Sequence, residues 1–538
     1  MRKLAPLAFA LLVASQAAAA PKSRVGEIKD ADTKAWWALT EQLSGDDMDG
    51  RDTGSPGYRK AADIVAKRFA EAGLKPAGDS ETFFQTVPLH EVKVEKAGTS
   101  FVIEREPPSK GGGVLGAAVG FVPGMGGPKR TEPLEFLHEI TVRANDTLPT
   151  EIDGQLVFRG YCEAASLGEV KGKIVVCFDT RRAGMVTGAQ RVQAASEAGA
   201  LGVIQVDDPL FTIEPARWPD AYARTVGFRG QTISGPKGFA IMRLSDDGFA
   251  KLITGTGRNA RQILDDGGHQ KGLETFDIPA RLHARFALSQ RDLESPNVLG
   301  LLPGSDPMLK AEVVALSAHL DGYGHGEAVR GDDLYNGALD DAAYVALLVQ
   351  QADRIKASGK IPRRSILFCA FTGEEKGLLG AIWFTRHPTV AKSSLVADIN
   401  LDQLRPLFPL KILTMHAVTD STLGEDAKAV AASMGIEIRP DREPERNLVR
   451  RADHYPFMQI GVPATGFVFG YDPGTDAEKR YREWYQVRYH RPQDDIGQPM
   501  DFAAAQTFDD FFYGLVDRVA NADGRPVWKA DSSYRPKP

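Results

Sequence analysis

Two adjacent carboxylates, Glu374 and Glu375, sit in Phe371-Thr-Gly-Glu374-Glu375-Lys-Gly-Leu-Leu-Gly380, directly after the apolar run Ser365-Ile-Leu-Phe-Cys-Ala-Phe371. Four other stretches carry residue types that bind divalent cations. These are His319-Leu-Asp321, Gly337-Ala-Leu-Asp340-Asp341, Asn400-Leu-Asp402 and Tyr489-His490-Arg-Pro-Gln-Asp494. A single His after a strand is usually a satisfied polar residue, and a single Asp is usually a helix cap. Five such stretches spread over the ends of successive elements point to chemistry. Imidazole and carboxylate donors suit zinc, and two cations about 4 Å apart need a carboxylate bridging them. One further carboxylate must stay off the metals to act as general base, and Glu374 with Glu375 offers a residue for each task.

These stretches need a scaffold that brings strand ends together. From Ser295 onward, strands are expected at 297–302, 313–318, 366–371, 395–401, 412–416 and 464–469, with helices at 342–355, 378–384, 425–433 and 502–519. Strands alternating with amphipathic helices predict an α/β domain with a mainly parallel mixed sheet covered on both faces. In such sheets ligands bind at the carboxyl edge, where His319, Glu374, Glu375 and Asp402 would lie.

Over 295–500 the order His-x-Asp, Gly-Ala-x-Asp-Asp, Gly-Glu-Glu-x-Gly-x-x-Gly, Asn-Leu-Asp and Tyr-His-x-Pro-x-Asp resembles the co-catalytic di-zinc exopeptidase family of bacterial leucyl aminopeptidases and glutamate carboxypeptidase. The resemblance implies two Zn2+ per chain, with His319 and Asp402 on one, Glu375 and His490 on the other, and Asp340 bridging. Glu374 would be the general base. Around them, Asp321 would orient His319, with Asp341 and Asp494 close by. Arg451-Ala-Asp453-His454 resembles the family's Ser-Asp-His stretch beside the substrate, with Ala452 in place of serine. The family also often has a cis peptide after the bridging Asp, here Asp340-Asp341. The activity implied is removal of N-terminal residues from peptides by a di-zinc-bound water. The alternatives are a carboxypeptidase of the glutamate carboxypeptidase type, a glutaminyl-cyclase-like acyltransferase and a catalytically silent receptor-like protein.

A second resemblance lies upstream. Lys171-Gly-Lys-Ile-Val-Val-Cys-Phe178, then Val192-Gln-Ala-Ala-Ser-Glu-Ala-Gly199 and Leu201-Gly-Val-Ile-Gln-Val206, is similar to the protease-associated (PA) domain, an insert of hydrolases that covers the active site or binds partners. It has no convergent acids or His. The loop Gly50-Arg-Asp-Thr-Gly-Ser-Pro-Gly57 lacks nucleotide-loop spacing and is expected to pack against the main domain.

Composition bounds the rest. The 538 residues are 43% hydrophobic and 25% charged with a net charge of −6 and no basic stripe, so nucleic acid is not an expected partner; the partners that the resemblance implies are peptides. Met1-Arg-Lys, an apolar stretch and Ser15-Gln-Ala-Ala-Ala-Ala20 read as a signal peptide, so an exported, periplasmic or extracellular protein is expected. Nothing after residue 24 is apolar for long enough to span a membrane. In an oxidising compartment Cys162 and Cys177 are close enough in sequence for a disulfide that geometry must decide, while Cys369 belongs to a buried strand. The expected organisation is a signal peptide over 1–20, the N-terminal part of the peptidase domain over 24–130, a PA-like insert over 131–280, the catalytic domain over 281–525 and a polar tail over 526–538. The Pro123-Gly-Met-Gly-Gly-Pro128 run is read as a crossing between modules.

Overall fold

The computed structural model describes residues 21–106, 129–212, 223–402 and 404–535. The signal-peptide stretch and the 123–128 run lie outside them. Strand Ser365–Phe371 is buried at all seven positions, as are Val313–His319 and Leu395–Asn400 at all of theirs. Uninterrupted apolar runs of this kind form strands covered on both faces. The three pair in parallel, with His319 opposite Phe371 and Ser317 opposite Asn400. The register therefore puts His319, the Thr372–Glu375 turn and Asp402 at one edge. Strand Phe276–Leu302 closes the other side, antiparallel to Ser365–Phe371 with Val298 opposite Ala370. Helices Ala31–Leu43, Pro56–Glu71, Ala343–Ser358 and Phe502–Asn521 contribute apolar faces to the core around this sheet.

Strand Phe276–Leu302 also continues far beyond these parallel strands, paired antiparallel with Phe84–Arg105 from Val298–Phe84 to Arg281–Glu104. Through it the sheet runs on into strands Glu151–Phe158, Ile174–Asp179 and Gly202–Asp207. Around these lies a second apolar cluster, drawn from residues between Val92 and Phe286. Helix Gly188–Glu197 packs beside them, started by a capping box in which Thr187 and Gln190 satisfy each other's backbone N–H. Cys162 and Cys177 form a disulfide with Cα atoms 5.5 Å apart. Cys369 is buried and free.

One expected strand is in fact two. The run 464–469 divides at Gly466 into Ala464–Thr465, beside Leu395–Asn400, and Phe467–Gly470, in a separate three-stranded sheet with Ile412–Met415 and Glu437–Arg439. At Gly466 a Cβ would lie 3.3 Å from the rings of His416 and His454, so the chain changes sheets where only glycine fits easily. Periodicity cannot report such a break. Among the described residues, no helix is long and apolar enough to cross a membrane.

The 50–57 loop does pack against the main domain, through Arg51. This side chain is fully buried and donates to the carbonyls of Leu320 (2.9 Å), Leu43 (2.7 Å), Asn336 (2.7 Å) and Gly337 (2.9 Å). Burial pulls its pKa down to about 10, against the opposing pull of Asp494, Asp321 and Asp341, so it stays a cation at neutral pH. Arg51→Met would orphan four buried acceptors. Urea denaturation should show a loss of at least about 3 kcal/mol, whereas a loss under about 1 kcal/mol would mean that water replaces the guanidinium.

Candidate metal centre

Each candidate ligand is held by backbone geometry local to its motif. His319 ends its strand, and its Nδ1 bonds the Asp321 carbonyl at 3.1 Å. That contact aims Nε2 at Asp340 Oδ1, 3.3 Å away, and Glu374 Oε2, 3.8 Å away. The expectation that the Asp321 carboxylate orients His319 is corrected here. The carboxylate is 3.8 Å from Nδ1, and instead accepts from Glu374 N at 3.0 Å and Thr53 Oγ1 at 2.9 Å. Two residues along the chain, the backbone carbonyl reaches the ring more directly than the side chain does.

Asp340 lies in the single wide turn Ala338–Ala342, where it and Asp341 leave helical dihedrals and a cis peptide joins the two. Gly337 enters the turn at φ 58°, where a Cβ would come within 2.4 Å of the Asp340 carbonyl. Asp494 holds this turn, its carboxylate accepting from Leu339 N at 3.0 Å and its carbonyl from Ala338 N at 3.0 Å. Asp341 Oδ2 accepts from His319 N at 3.1 Å, tying the turn to the strand end. His490 has φ 52° and Leu378, beyond the Glu374–Glu375 turn, φ 60°. Non-glycine residues in this region cost energy and cluster where a side chain must be aimed.

These elements bring the predicted ligands together in overlapping groups: His319, Asp340 and Asp402; Asp340, Glu375 and His490; and His319, Glu374 and Glu375. Within each, one potential ligand atom per residue lies within 4.8 Å of the others. His490 Nε2 is 3.2 Å from Asp340 Oδ2 and 3.3 Å from Glu375 Oε2. The Tyr323 hydroxyl donates to Glu375 and contacts His490 Nδ1 at 2.9 Å. Asp453 is buried with neither carboxylate oxygen hydrogen-bonded, and its charge acts on Glu374. His454 stacks on His416, ring centroids 5.1 Å apart. Arg405, which no motif marks, has its guanidinium buried 3.5 Å from Asp340 Oδ2 and 4.3 Å from the Trp484 ring centroid.

Electrostatics make this donor set fit a divalent cation. His319 Nε2, Asp340 Oδ2 and Glu375 Oε1 are buried and make no hydrogen bond. Burial and the neighbouring Asp340 push the Glu375 carboxyl up to about 8. Burial, with Glu375 and Asp402, also holds Glu374 well above its usual range. Burial would lower His319, but Asp341 and Glu374 hold it well above an ordinary imidazole. Conversely, burial would raise Asp340, but Arg405 and the two histidines hold it well below. Carboxylates crowded like this resist ionising together, and a cation relieves the repulsion.

The model for Peptidase family M28 matches residues 297–516, and that for the PA domain matches 152–232. The chain carries an M28 peptidase domain with an inserted PA domain. A "probable zinc metalloprotease" of Pyrenophora tritici-repentis (strain Pt-1C-BFP) is 30% identical over 196 residues, covering 31% of this chain. The match spans 44% of that relative, under half its length. Among solved structures, the aminopeptidase from Aneurinibacillus sp. strain AM-1 has a TM-score of 0.58 at 17% identity, covering 93% of this chain and 97% of that one. BSAP, a zinc aminopeptidase from Bacillus subtilis, has a TM-score of 0.55 at 16% identity, covering 91% and 96%. At these identities the likeness is one of fold. For this M28 domain, zinc is the ion implied at the donor set.

The displaced carboxyl has a measurable consequence. An acid held at about 8 when folded, against 4.5 ordinarily, destabilises the metal-free chain progressively as pH rises through that window. It must also lose its proton when a cation binds. Titrating metal-free protein with Zn2+ should release more protons near pH 6.5 than near pH 9, and Glu375→Gln should shrink that difference. Calorimetry in buffers of different ionisation enthalpy reads the count, and a pH-independent release would contradict the assignment.

Proposed function

We propose that the chain is a zinc-dependent aminopeptidase, with His319 and Asp402 on one zinc ion, Glu375 and His490 on a second, and Asp340 shared. The observation that carries this reading is that the groups His319–Asp340–Asp402 and Asp340–Glu375–His490 have Asp340 in common. A common carboxylate is what two adjacent cations require. When bound, such a pair supplies Lewis-acid polarisation of the peptide carbonyl and lowers the pKa of water.

Glu374 stands outside both groups, its side chain 10% exposed. As general base its carboxylate takes a proton from the attacking water. It then returns that proton to the amine nitrogen as the C–N bond breaks, ending in its starting state. Neutralisation of Glu375 and Asp402 by cations would remove the repulsion that holds Glu374 protonated, leaving it ionised for this step. Tyr323, bonded to both Glu375 and His490, keeps those two side chains in one orientation.

The cavity at these residues is about 240 Å³ and is lined by Tyr323, Glu374, Asp402, Leu378 and Tyr489 among others. It suits one end of a peptide better than the middle of a chain, which supports an exopeptidase. Arg450 and Arg451 line the same cavity. Guanidinium groups favour carboxylates, so carboxypeptidase action on a free C-terminus is the second reading. The Cys162–Cys177 disulfide suits an oxidising compartment, in keeping with export as the proposed location.

Two measurements test the proposal. Glu374→Gln should retain two zinc ions per chain by elemental analysis and lose at least about a hundredfold in kcat; a rate near wild type would reject Glu374 as base. Zinc-loaded enzyme should cleave aminoacyl anilides and spare N-acetylated peptides, and the reverse preference would select the carboxypeptidase reading.

A further inference from the structure

The PA domain reaches the candidate site through a chain of alternating charges. Arg224 opens strand Arg224–Phe228, within the PA-matching stretch, and that strand pairs with Phe84–Arg105. Its guanidinium grips Asp52 with two prongs, Nη1 to Oδ2 at 2.7 Å and Nη2 to Oδ1 at 2.5 Å. Its Nε lies 3.1 Å from Glu91 Oε2, and Glu91 is also bound by Arg291 at 2.7 Å. On the other side, Asp52 Oδ1 is 3.3 Å from the ammonium of Lys376, the residue after Glu375. Lys376 Nζ lies 4.5 Å from the centroid of the Tyr323 ring and donates to the Gly322 carbonyl at 3.4 Å. Tyr323 in turn bonds Glu375 and His490.

These groups are shielded from solvent. The side chains of Glu91, Lys376, Asp52 and Arg224 are 5%, 8%, 14% and 17% exposed. Arg224 is the one cation shared by both acids, so removing it leaves Glu91 to the exposed Arg291 and leaves Asp52 with Lys376 alone. A buried pair broken on one side exerts a large local effect, because the orphaned charge moves to find a partner. The partner within reach of Asp52 is Lys376, whose displacement would drag the Glu374–Glu375 turn with it. A second tie runs beside the first: Thr53, next to Asp52, donates to the Asp321 carboxylate that accepts the Glu374 amide.

We infer that Arg224 is a positioning residue for the reaction, through which the PA domain fixes the Glu374–Glu375 turn by way of Asp52 and Lys376. The inserted domain is then a working part of the site as well as a neighbour of it. This rests on the proposed role of that turn in hydrolysis.

A double-mutant cycle on the full chain tests the coupling, using Arg224→Gln, Lys376→Met and both together. Two readouts are taken: kcat and KM on an aminoacyl anilide, and the rate at which zinc-loaded protein gives up zinc to a chelator. Arg224→Gln should lower kcat about tenfold with KM changed less than about threefold, and should speed zinc loss by a similar factor. In the Lys376→Met background both effects should shrink to under about threefold. Arg224→Lys, which keeps the charge and loses one prong, should recover most of each effect. If Arg224→Gln does not fold, Asp52→Asn, which breaks the same link from its middle, takes its place in the cycle under the same criterion. Wild-type kcat and zinc retention in Arg224→Gln, or effects that multiply independently in the double variant, would overturn the inference. The zinc-loss arm does not depend on turnover. Coupling seen there alongside a fully active Glu374→Gln would therefore sink the proposed base while leaving the link intact.

Discussion

The structure is dominated by buried negative charge at one sheet edge. Asp321, Asp340, Asp341, Asp402, Asp453 and Asp494 are all almost wholly buried, with Glu374 and Glu375 beside them. In a medium of low polarity such a set is costly unless cations or hydrogen-bond donors meet it. The chain meets part of the demand itself. Arg405 stands against Asp340, and backbone amides of His319, Leu339 and Glu374 are donated to Asp341, Asp494 and Asp321. What these do not reach is the shared space between His319, Asp340, Glu375, Asp402 and His490, where the proposed cations would sit.

The supporting carboxylates act mainly by holding backbone. Asp494 holds the turn that carries Asp340, Asp341 holds the strand end that carries His319, and Asp321 holds the turn that carries Glu374. Each therefore fixes a ligand's position by restraining main chain, which is stiffer than a restraint on the side chain alone. Arg51 adds to this from outside the sheet, joining the carbonyls of Leu320, Asn336 and Gly337 with one rigid, planar group. Lysine could not span those acceptors.

The long strand Phe276–Leu302 gives the PA domain its bearing on the site. One element pairs with Ser365–Phe371 at one end and with Glu151–Phe158 at the other. The PA domain is thus continuous with the catalytic sheet by backbone hydrogen bonds, which are less easily slid or rotated than a side-chain interface. On that base a single arginine, Arg224, can be delivered to Asp52 with a defined geometry.

The sequence alone determined the strands and helices of the catalytic domain and the residue types at their ends, because continuous apolar runs and helical periodicity are local signals. His319, Glu374, Glu375, Asp402 and His490 could be picked out for the same reason, each standing just beyond an element or in a short motif. Tertiary structure decided what faces what. The register that sets His319 beside Phe371, the partner of the Asp321 carboxylate, the break at Gly466 and the Arg405–Trp484 stack all join segments with no local relation. The loop carrying Asp52 and Thr53 looked like plain packing, since its partners Arg224 and Asp321 lie 172 and 268 residues away. A contact across that distance leaves no periodicity to read, because it is created only when the sheet brings the two segments together.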